Sequence, residues 1–220
     1  MLSHIRMNIN KFICLDRNER VEPLPKEFMD GVRERLNDKL LMSYPNEDVL
    51  LKKISNYLGI SIDQILLAAG SDAAIKSIFH VFVGKEDRVL MLEPSYAMYK
   101  VYSQIFGGVI DNVNLDRSLS FDAEKFIKLV NQDTKLVILA NPNQPTGTIV
   151  DNNFIEELLC QCCKVGALLV VDEAYYPFYD KTILNGSFED KDNLLVVRTF
   201  SKAWGLAGLR IGYVCSSVAN

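Results

Sequence analysis

The sequence lacks the features that mark several large classes of protein. Its 220 residues have no basic surplus, because 24 Lys and Arg are set against 28 Asp and Glu for a net charge of −4. That balance gives no support to binding of nucleic acid or of an anionic membrane. The longest uncharged stretch, Leu136 to Val150, has 15 residues and two prolines. A membrane-spanning helix needs about 20 apolar residues, so none is expected.

The start of the chain also lacks an apolar segment of signal-peptide length, which predicts a cytoplasmic location. With 49% hydrophobic and 24% charged residues, the composition is that of a folded globular protein rather than a disordered chain. The length suggests one large domain, or one domain and part of another.

Cysteine is sparse and odd in number, with five residues, which argues against a disulfide framework. Three of them, Cys160, Cys162 and Cys163, cluster in a segment, Phe154–Val165, that has the apolar spacing of an amphipathic helix. A closed zinc site needs four ligands, and the chain has only two histidines. We therefore expect reduced thiols packed in and around a helix, and no metal site.

What the sequence does contain is an alternation of short apolar runs with stretches of helical spacing. Runs that are apolar on both faces are typical of strands in a parallel sheet covered by helices on each side, so the fold class is predicted to be α/β. The predicted strands are Ile65–Ala69, Arg88–Leu92, Lys135–Ala140, Ala167–Val171, Leu194–Val197 and Leu209–Val214, and the predicted helices are Asp72–Phe82, Ala97–Phe106 and Phe154–Val165.

Polar residues follow five of these strands directly. Open parallel sheets bind ligands at the carboxyl ends of their strands, so we expect one site to gather these residues. The segments concerned are Gly70-Ser71-Asp72, Glu93-Pro94-Ser95-Tyr96, the loop 141–147, Asp172-Glu173-Ala174-Tyr175 and Thr199-Phe200-Ser201-Lys202.

The chemistry of these segments suggests a particular kind of ligand. Ser71 or Asp72 is placed to cap the following helix, whose first N–H groups can bind phosphate. No nucleotide-binding glycine motif is present. Asp172 follows a fully apolar run, and Lys202 lies two residues from both Phe200 and Trp204, where burial would lower its pKa. A phosphate anchor, an acid, a phenol and a lysine together fit pyridoxal 5′-phosphate.

The chain resembles the class I/II aminotransferases of PLP fold type I, and within them the histidinol-phosphate aminotransferase-like group. The resemblance extends from about Asn18 to Gly212 and implies a three-layer α/β/α fold with a mostly parallel central sheet. It rests on seven motifs in the family's order: S-Y-P-N at 43–46, A-G-S-D at 69–72, E-P-S-Y at 93–96, N-P-N-Q-P-T-G at 141–147, D-E-A-Y at 172–175, S-K-A at 201–203 and G-L-R at 208–210.

The resemblance implies a role for each matching residue. Lys202 would form the Schiff base with the cofactor and move the substrate proton, Asp172 would keep the pyridine nitrogen protonated, and Tyr175 would bond the ring 3′-oxygen. Tyr96 would stack on the ring. The remaining cofactor-binding residues would be Ser71, Asp72, Thr199, Ser201 and Arg210 at the phosphate, and Asn143 and Gln144 near the 3′-oxygen.

The resemblance also implies a homodimer, with Tyr44 reaching the phosphate in the neighbouring subunit. Residues 1–45 would form an N-terminal arm and the start of a small domain, and residues 46–220 the PLP-binding large domain. Asn18 and Glu19 would lie near the substrate. The C-terminal small domain, which supplies the arginine for the substrate carboxylate in such enzymes, is expected to be absent from this chain.

One motif departs from the family pattern. Gln144 stands where the family has Asn before Pro-Thr-Gly, so the amide contact to the 3′-oxygen is either redirected or made by Asn143 or Asn141.

The leading hypothesis is a PLP-dependent aminotransferase that moves an amino group between an amino acid or amino phosphate ester and a 2-oxo acid. Two alternatives stay open: a PLP-dependent decarboxylase of phosphorylated serine or threonine, and a non-catalytic fragment of this fold.

Overall fold

The computed structural model describes residues 16–184 and 191–218. Its centre is a seven-stranded sheet with the strand order β1-β7-β6-β5-β4-β2-β3. The strands are β1 Ile65–Ala68, β2 Arg88–Glu93, β3 Val109–Asn114, β4 Thr134–Ala140, β5 Leu168–Asp172, β6 Leu194–Thr199 and β7 Gly212–Ser216. Only β7 is antiparallel to its neighbours, β1 and β6, so the other six strands share one direction.

Helices cover the sheet on both faces. They are α1 Lys26–Arg35, α2 Asp38–Met42, α3 Asp48–Leu58, α4 Ser71–Phe82, α5 Met98–Phe106, α6 Ala123–Leu129 and α7 Asn152–Val165, with short 3-10 helices at Ile62–Gln64 and Ala207–Leu209. Among the described residues, no helix has the length and apolar character required to cross a bilayer.

The central strands divide their side chains between two hydrophobic cores. In β4, for example, Val137 and Leu139 pack with α6 and α7, whereas Leu136 and Ile138 pack with α4 and α5. This alternation along strands that are buried on both faces makes a three-layer α/β/α fold. The predicted fold class and its mostly parallel sheet are therefore confirmed.

The predicted helix over Phe154–Val165 is confirmed as α7, which buries Cys162 and leaves Cys160 and Cys163 exposed. The four cysteines that the structure describes carry free thiols, and Cys14 lies outside the described residues. Within the described ranges, no group of three or more His, Cys, Asp or Glu is arranged to hold a metal ion.

Three sequence expectations need correction or addition. The last strand begins at Gly212 rather than Leu209, because Leu209 ends a 3-10 helix and Arg210 has a left-handed φ of 53°. The apolar-run criterion did not predict β3, an edge strand that is only partly buried and carries polar residues. Helical spacing predicted α4, α5 and α7 but not α1, α2, α3 and α6.

Candidate active site

The carboxyl ends of β1, β4, β5 and β6 meet at one edge of the sheet and enclose a cavity of about 290 Å³. This is close to the lower end of the roughly 300–1,000 Å³ typical of small-molecule sites. The cavity is lined by Asp16, Arg17, Asn18, Ser71, Tyr96, Tyr99, Ala140, Pro142, Gln144, Asp172, Ala174, Tyr175 and Lys202. The structure therefore brings together the strand-end segments that the sequence placed in one site.

Lys202 follows β6 and contributes an amine to this cavity. Its Nζ donates a hydrogen bond to the Arg17 carbonyl at 2.7 Å and lies 5.9 Å from the centre of the Tyr175 ring. Burial lowers the pKa of Lys202, Arg210 lowers it further, and Glu19 and Asp172 oppose the shift. The folded chain thus favours the neutral, nucleophilic amine more than solvent does.

Asp172 is the last residue of β5 and is 5% exposed. One carboxylate oxygen accepts a hydrogen bond from the Tyr99 hydroxyl at 2.7 Å, and the other accepts from the Ala174 N–H at 3.0 Å. Burial raises the pKa of Asp172 to about 6, although both hydrogen bonds favour the charged form. A buried carboxylate at a cavity wall is suited to pair with a cationic ring nitrogen.

Tyr175 and the N-terminal segment close the same side of the cavity. The Tyr175 hydroxyl accepts a hydrogen bond from the Asn18 Nδ2 at 2.7 Å, and Asn18 itself has a left-handed φ of 52°. Glu19 is exposed, and its negative charge acts on Lys202. The segment around Asn18 is thereby held against the cavity by a direct contact with a predicted site residue.

The start of α4 differs from the sequence expectation in one respect. The predicted capping by Ser71 or Asp72 is wrong, because Gly70, with φ of 88°, is the N-cap and no side chain caps the helix. The left-handed φ of Gly70 favours glycine, and the Arg210 guanidinium lies so close that a Cβ there would be 2.5 Å from one of its nitrogens. The first-turn N–H groups and the Arg210 guanidinium therefore lie side by side, an arrangement suited to an anion.

The Asp72 carboxylate bonds a tyrosine hydroxyl and does not cap the first-turn N–H groups of α4. It accepts a hydrogen bond from the Tyr96 hydroxyl at 3.1 Å, and burial together with this carboxylate raises the pKa of Tyr96. Tyr102 also bonds Asp72, and its pKa is raised to about 12, mainly by burial. The Tyr96 ring stays at the cavity wall, with its hydroxyl directed to α4.

The 141–147 loop offers Gln144 as the amide that lines the cavity. The Asn143 amide is taken up within the protein, donating to the Pro94 carbonyl at 2.9 Å and accepting from the Ser95 hydroxyl at 2.7 Å. Asn141 is similarly paired with the backbone of Val150 in both directions. These contacts leave Gln144 as the amide for a ligand.

The remaining predicted residues do not line the cavity. The buried hydroxyls of Thr199 and Ser201 bond each other at 2.9 Å. Arg210 donates to the Ala69 carbonyl at 3.3 Å. Tyr44 is fully exposed on the segment between α2 and α3. Their ligand-binding roles stay predictions.

Sequence reasoning missed two groups that support the site. Tyr99 bonds Asp172 directly, and its only sequence signal is its position three residues after Tyr96. Glu173 and Arg198 form a buried ion pair at 2.7 Å, with Thr182 bonded to both. The ion pair joins the end of β6 to the segment after β5 that carries Tyr175, and so it holds that segment in place.

Comparisons with known proteins agree with this geometry. A family model described as "Aminotransferase class I and II" matches residues 5–219. The histidinol-phosphate aminotransferase of Thermoanaerobacter sp. (strain X514) is 38% identical over 209 residues, which cover 94% of this chain and 58% of that protein. The enzyme of the same name from Clostridium novyi (strain NT) is 34% identical, over 93% of this chain and 57% of its own length. The chain thus spans somewhat more than half of the relatives it matches.

Solved structures give the same result. The crystal structure of histidinol-phosphate aminotransferase from Sinorhizobium meliloti in complex with pyridoxal 5′-phosphate superposes with a TM-score of 0.80 at 28% identity, over 92% of this chain and 56% of that one. Aspartate aminotransferase from Thermus thermophilus with maleate gives a TM-score of 0.78 at 22% identity, which shows a shared fold.

Proposed function

The chain belongs to the class I and II aminotransferase family, and from that membership we propose that it forms the pyridoxal 5′-phosphate-binding part of an aminotransferase. The observation that carries the proposal is the cavity itself, where the Lys202 amine, the Asp172 carboxylate and the Tyr175 phenol meet beside the first turn of α4. The relatives named above suggest a substrate that is an amino acid or an amino phosphate ester resembling histidinol phosphate, with a 2-oxo acid as the acceptor.

The donor set fits this cofactor. The first turn of α4 and Arg210 supply N–H donors for a phosphate, and the Arg210 guanidinium lies directly beside Gly70 at the start of that helix. Asp172 would hold the pyridine nitrogen, Gln144 and Tyr175 would bond the ring oxygen, and Tyr96 would lie against the ring. When bound, pyridoxal 5′-phosphate supplies an aldehyde that bonds amines and a ring that accepts electrons from the substrate.

The chain's own residues divide the remaining work. Lys202 has a lowered pKa, so its amine would be available to bond the aldehyde and, once the substrate amine had displaced it, to accept and return a proton at the substrate carbon. The negative charge of Asp172 would face the ring nitrogen and favour its protonated form. To bond the aldehyde, the Lys202 amine would have to give up its hydrogen bond to the Arg17 carbonyl.

We propose the further assignments on the same basis. Residues 46–220 would be the large domain and residues 1–45 the N-terminal arm. In a homodimer, the exposed Tyr44 would reach the cofactor phosphate of the neighbouring subunit. The free thiols of the described cysteines suit a cytoplasmic location.

The test is covalent trapping. The purified chain mixed with pyridoxal 5′-phosphate should develop a visible absorption band, and borohydride should fix the cofactor on the peptide that contains Lys202. Lys202→Ala should abolish the adduct, whereas Lys76→Ala, a change on the exposed face of α4, should leave it intact. Reduction at other lysines with none at Lys202 would refute the assignment.

Substrate class is tested on the same preparation. Histidinol phosphate with 2-oxoglutarate should give glutamate and the corresponding ketone phosphate. Carbon dioxide released from phosphorylated serine or threonine would point instead to a decarboxylase.

A further inference from the structure

Tyr99 is a buried tyrosine that lines the proposed cofactor site and contacts Asp172. None of the roles proposed above includes it. It lies on α5 with none of its surface exposed. A phenol hydroxyl that is buried needs a hydrogen-bond partner, and the partner here is the Asp172 carboxylate at 2.7 Å. The Tyr99 ring also packs edge-on against Tyr96, with 5.5 Å between ring centres.

Asp172 lies among groups that disfavour its charge. Burial is the largest influence, and the negative charges of Glu173 and Asp72 add to it. The groups that favour the charged form are the Tyr99 hydroxyl, the Ala174 N–H and the Lys202 amine across the cavity. The negative charge of Asp172 also helps to raise the pKa of Tyr96. Tyr99 is thus the one neutral side chain among these groups that donates directly to Asp172.

The two hydrogen bonds also fix the orientation of Asp172. Tyr99 holds one carboxylate oxygen and Ala174 holds the other, so the plane of the group is set from two elements, α5 and the end of β5. A carboxylate that must face a ring nitrogen benefits from such fixed geometry, because small misplacements weaken a charge-assisted hydrogen bond.

We propose that Tyr99 is a positioning residue that keeps Asp172 ionised and oriented toward the pyridine nitrogen of the cofactor. This inference rests on the proposed function, since it assigns Asp172 to that nitrogen. It concerns a hydrogen bond within the protein, so part of its test needs no cofactor.

The test is Tyr99→Phe, which removes the hydroxyl and keeps the ring that contacts Tyr96. Carbon NMR of the Asp172 carboxyl, identified by its loss in Asp172→Asn, gives the ionisation midpoint in the chain without cofactor. We expect the midpoint to rise by about one pH unit, since a hydrogen bond to a charged group favours that charge. Tyr102→Phe is the matched control, because it removes a hydroxyl from the same helix that bonds Asp72 instead, and it should leave the Asp172 midpoint unchanged.

The second readout is the dissociation constant of pyridoxal 5′-phosphate, measured by absorbance across pH. Tyr99→Phe should weaken binding about twofold at pH 7 and roughly three- to tenfold at about pH 5–6, with a smaller effect at alkaline pH where Asp172 is ionised in both proteins. An unchanged midpoint, or a raised midpoint with unchanged binding, would overturn the inference. Failure of the proposed function is distinct from either result, because the wild-type chain would then form no adduct at Lys202.

Discussion

At the residue scale, the buried charge of Asp172 lowers the stability of the folded chain. The Asp172 carboxyl has a pKa near 6 when folded, raised by burial from about 3.8. Because the folded state then holds its proton more tightly than the unfolded state, this group contributes a loss of stability as pH rises from about 4 to 6. Above that range the cost is fully present. A residue that serves only structure would not be expected in this position.

Asp172→Asn removes that cost while keeping the size of the side chain. Without cofactor at neutral pH, we expect the free energy of unfolding to rise by about 1–3 kcal/mol, and to change little near pH 3, below both pKa values, where both states bind a proton. Urea denaturation at the two pH values measures this. Asp133→Asn, at an exposed position, is the control and should change neither value. A loss of stability at neutral pH would show that Asp172 is stabilising.

The same residue scale shows how far sequence reasoning reaches. Ser71, Asp172 and Lys202 could be assigned to one site because each lies at the carboxyl end of a strand or within three residues of it, and strand ends converge. Tyr99 could not, because its role depends on which face of α5 meets the end of β5. A tyrosine inside an apolar helix gives the same sequence signal whether it fills a core or bonds a carboxylate.

At the element scale, the reversed direction of β7 completes the proposed phosphate site, which consists of Arg210 and the first turn of α4. Gly212, the first residue of β7, pairs with Ala68 and with Thr199, so the preceding Arg210 arrives beside the start of α4. The apolar run over 209–214 predicted a strand but carried no information on its direction. Direction depends on the partners of the strand, which are distant in sequence.

A substitution at Gly212 tests the proposed phosphate site. A Cβ at Gly212 would lie 2.6 Å from the Gly70 carbonyl carbon and 2.7 Å from the Ser71 nitrogen, both backbone atoms. Gly212→Ala should therefore displace β7 from α4, lowering the free energy of unfolding by about 1–3 kcal/mol and weakening binding of the phosphate cofactor. Gly208→Ala, where a Cβ would meet nothing within 4 Å, should have little effect on folding. Unchanged cofactor binding in Gly212→Ala would show that Arg210 and the first turn of α4 do not hold the cofactor.

At the scale of the whole molecule, the proposed cofactor would link segments that are far apart along the chain. Its phosphate would contact α4 after β1, and its ring would contact the ends of β4, β5 and β6 together with the segment around Asn18. A ligand that binds only the folded state raises stability with concentration, by about 2.7 kcal/mol at a hundred times its dissociation constant. The chain should therefore melt at a higher temperature in pyridoxal 5′-phosphate.

Pyridoxal, which has the ring and aldehyde but no phosphate, separates the contributions of the two ends of the site. If the first turn of α4 and Arg210 hold the phosphate, pyridoxal at equal concentration should raise the melting temperature much less, because its affinity is lower. The difference should shrink at high salt, which screens the exposed guanidinium of Arg210. Equal stabilisation by both compounds, measured by thermal denaturation, would mean that the aldehyde and ring alone account for binding and that α4 does not hold the phosphate.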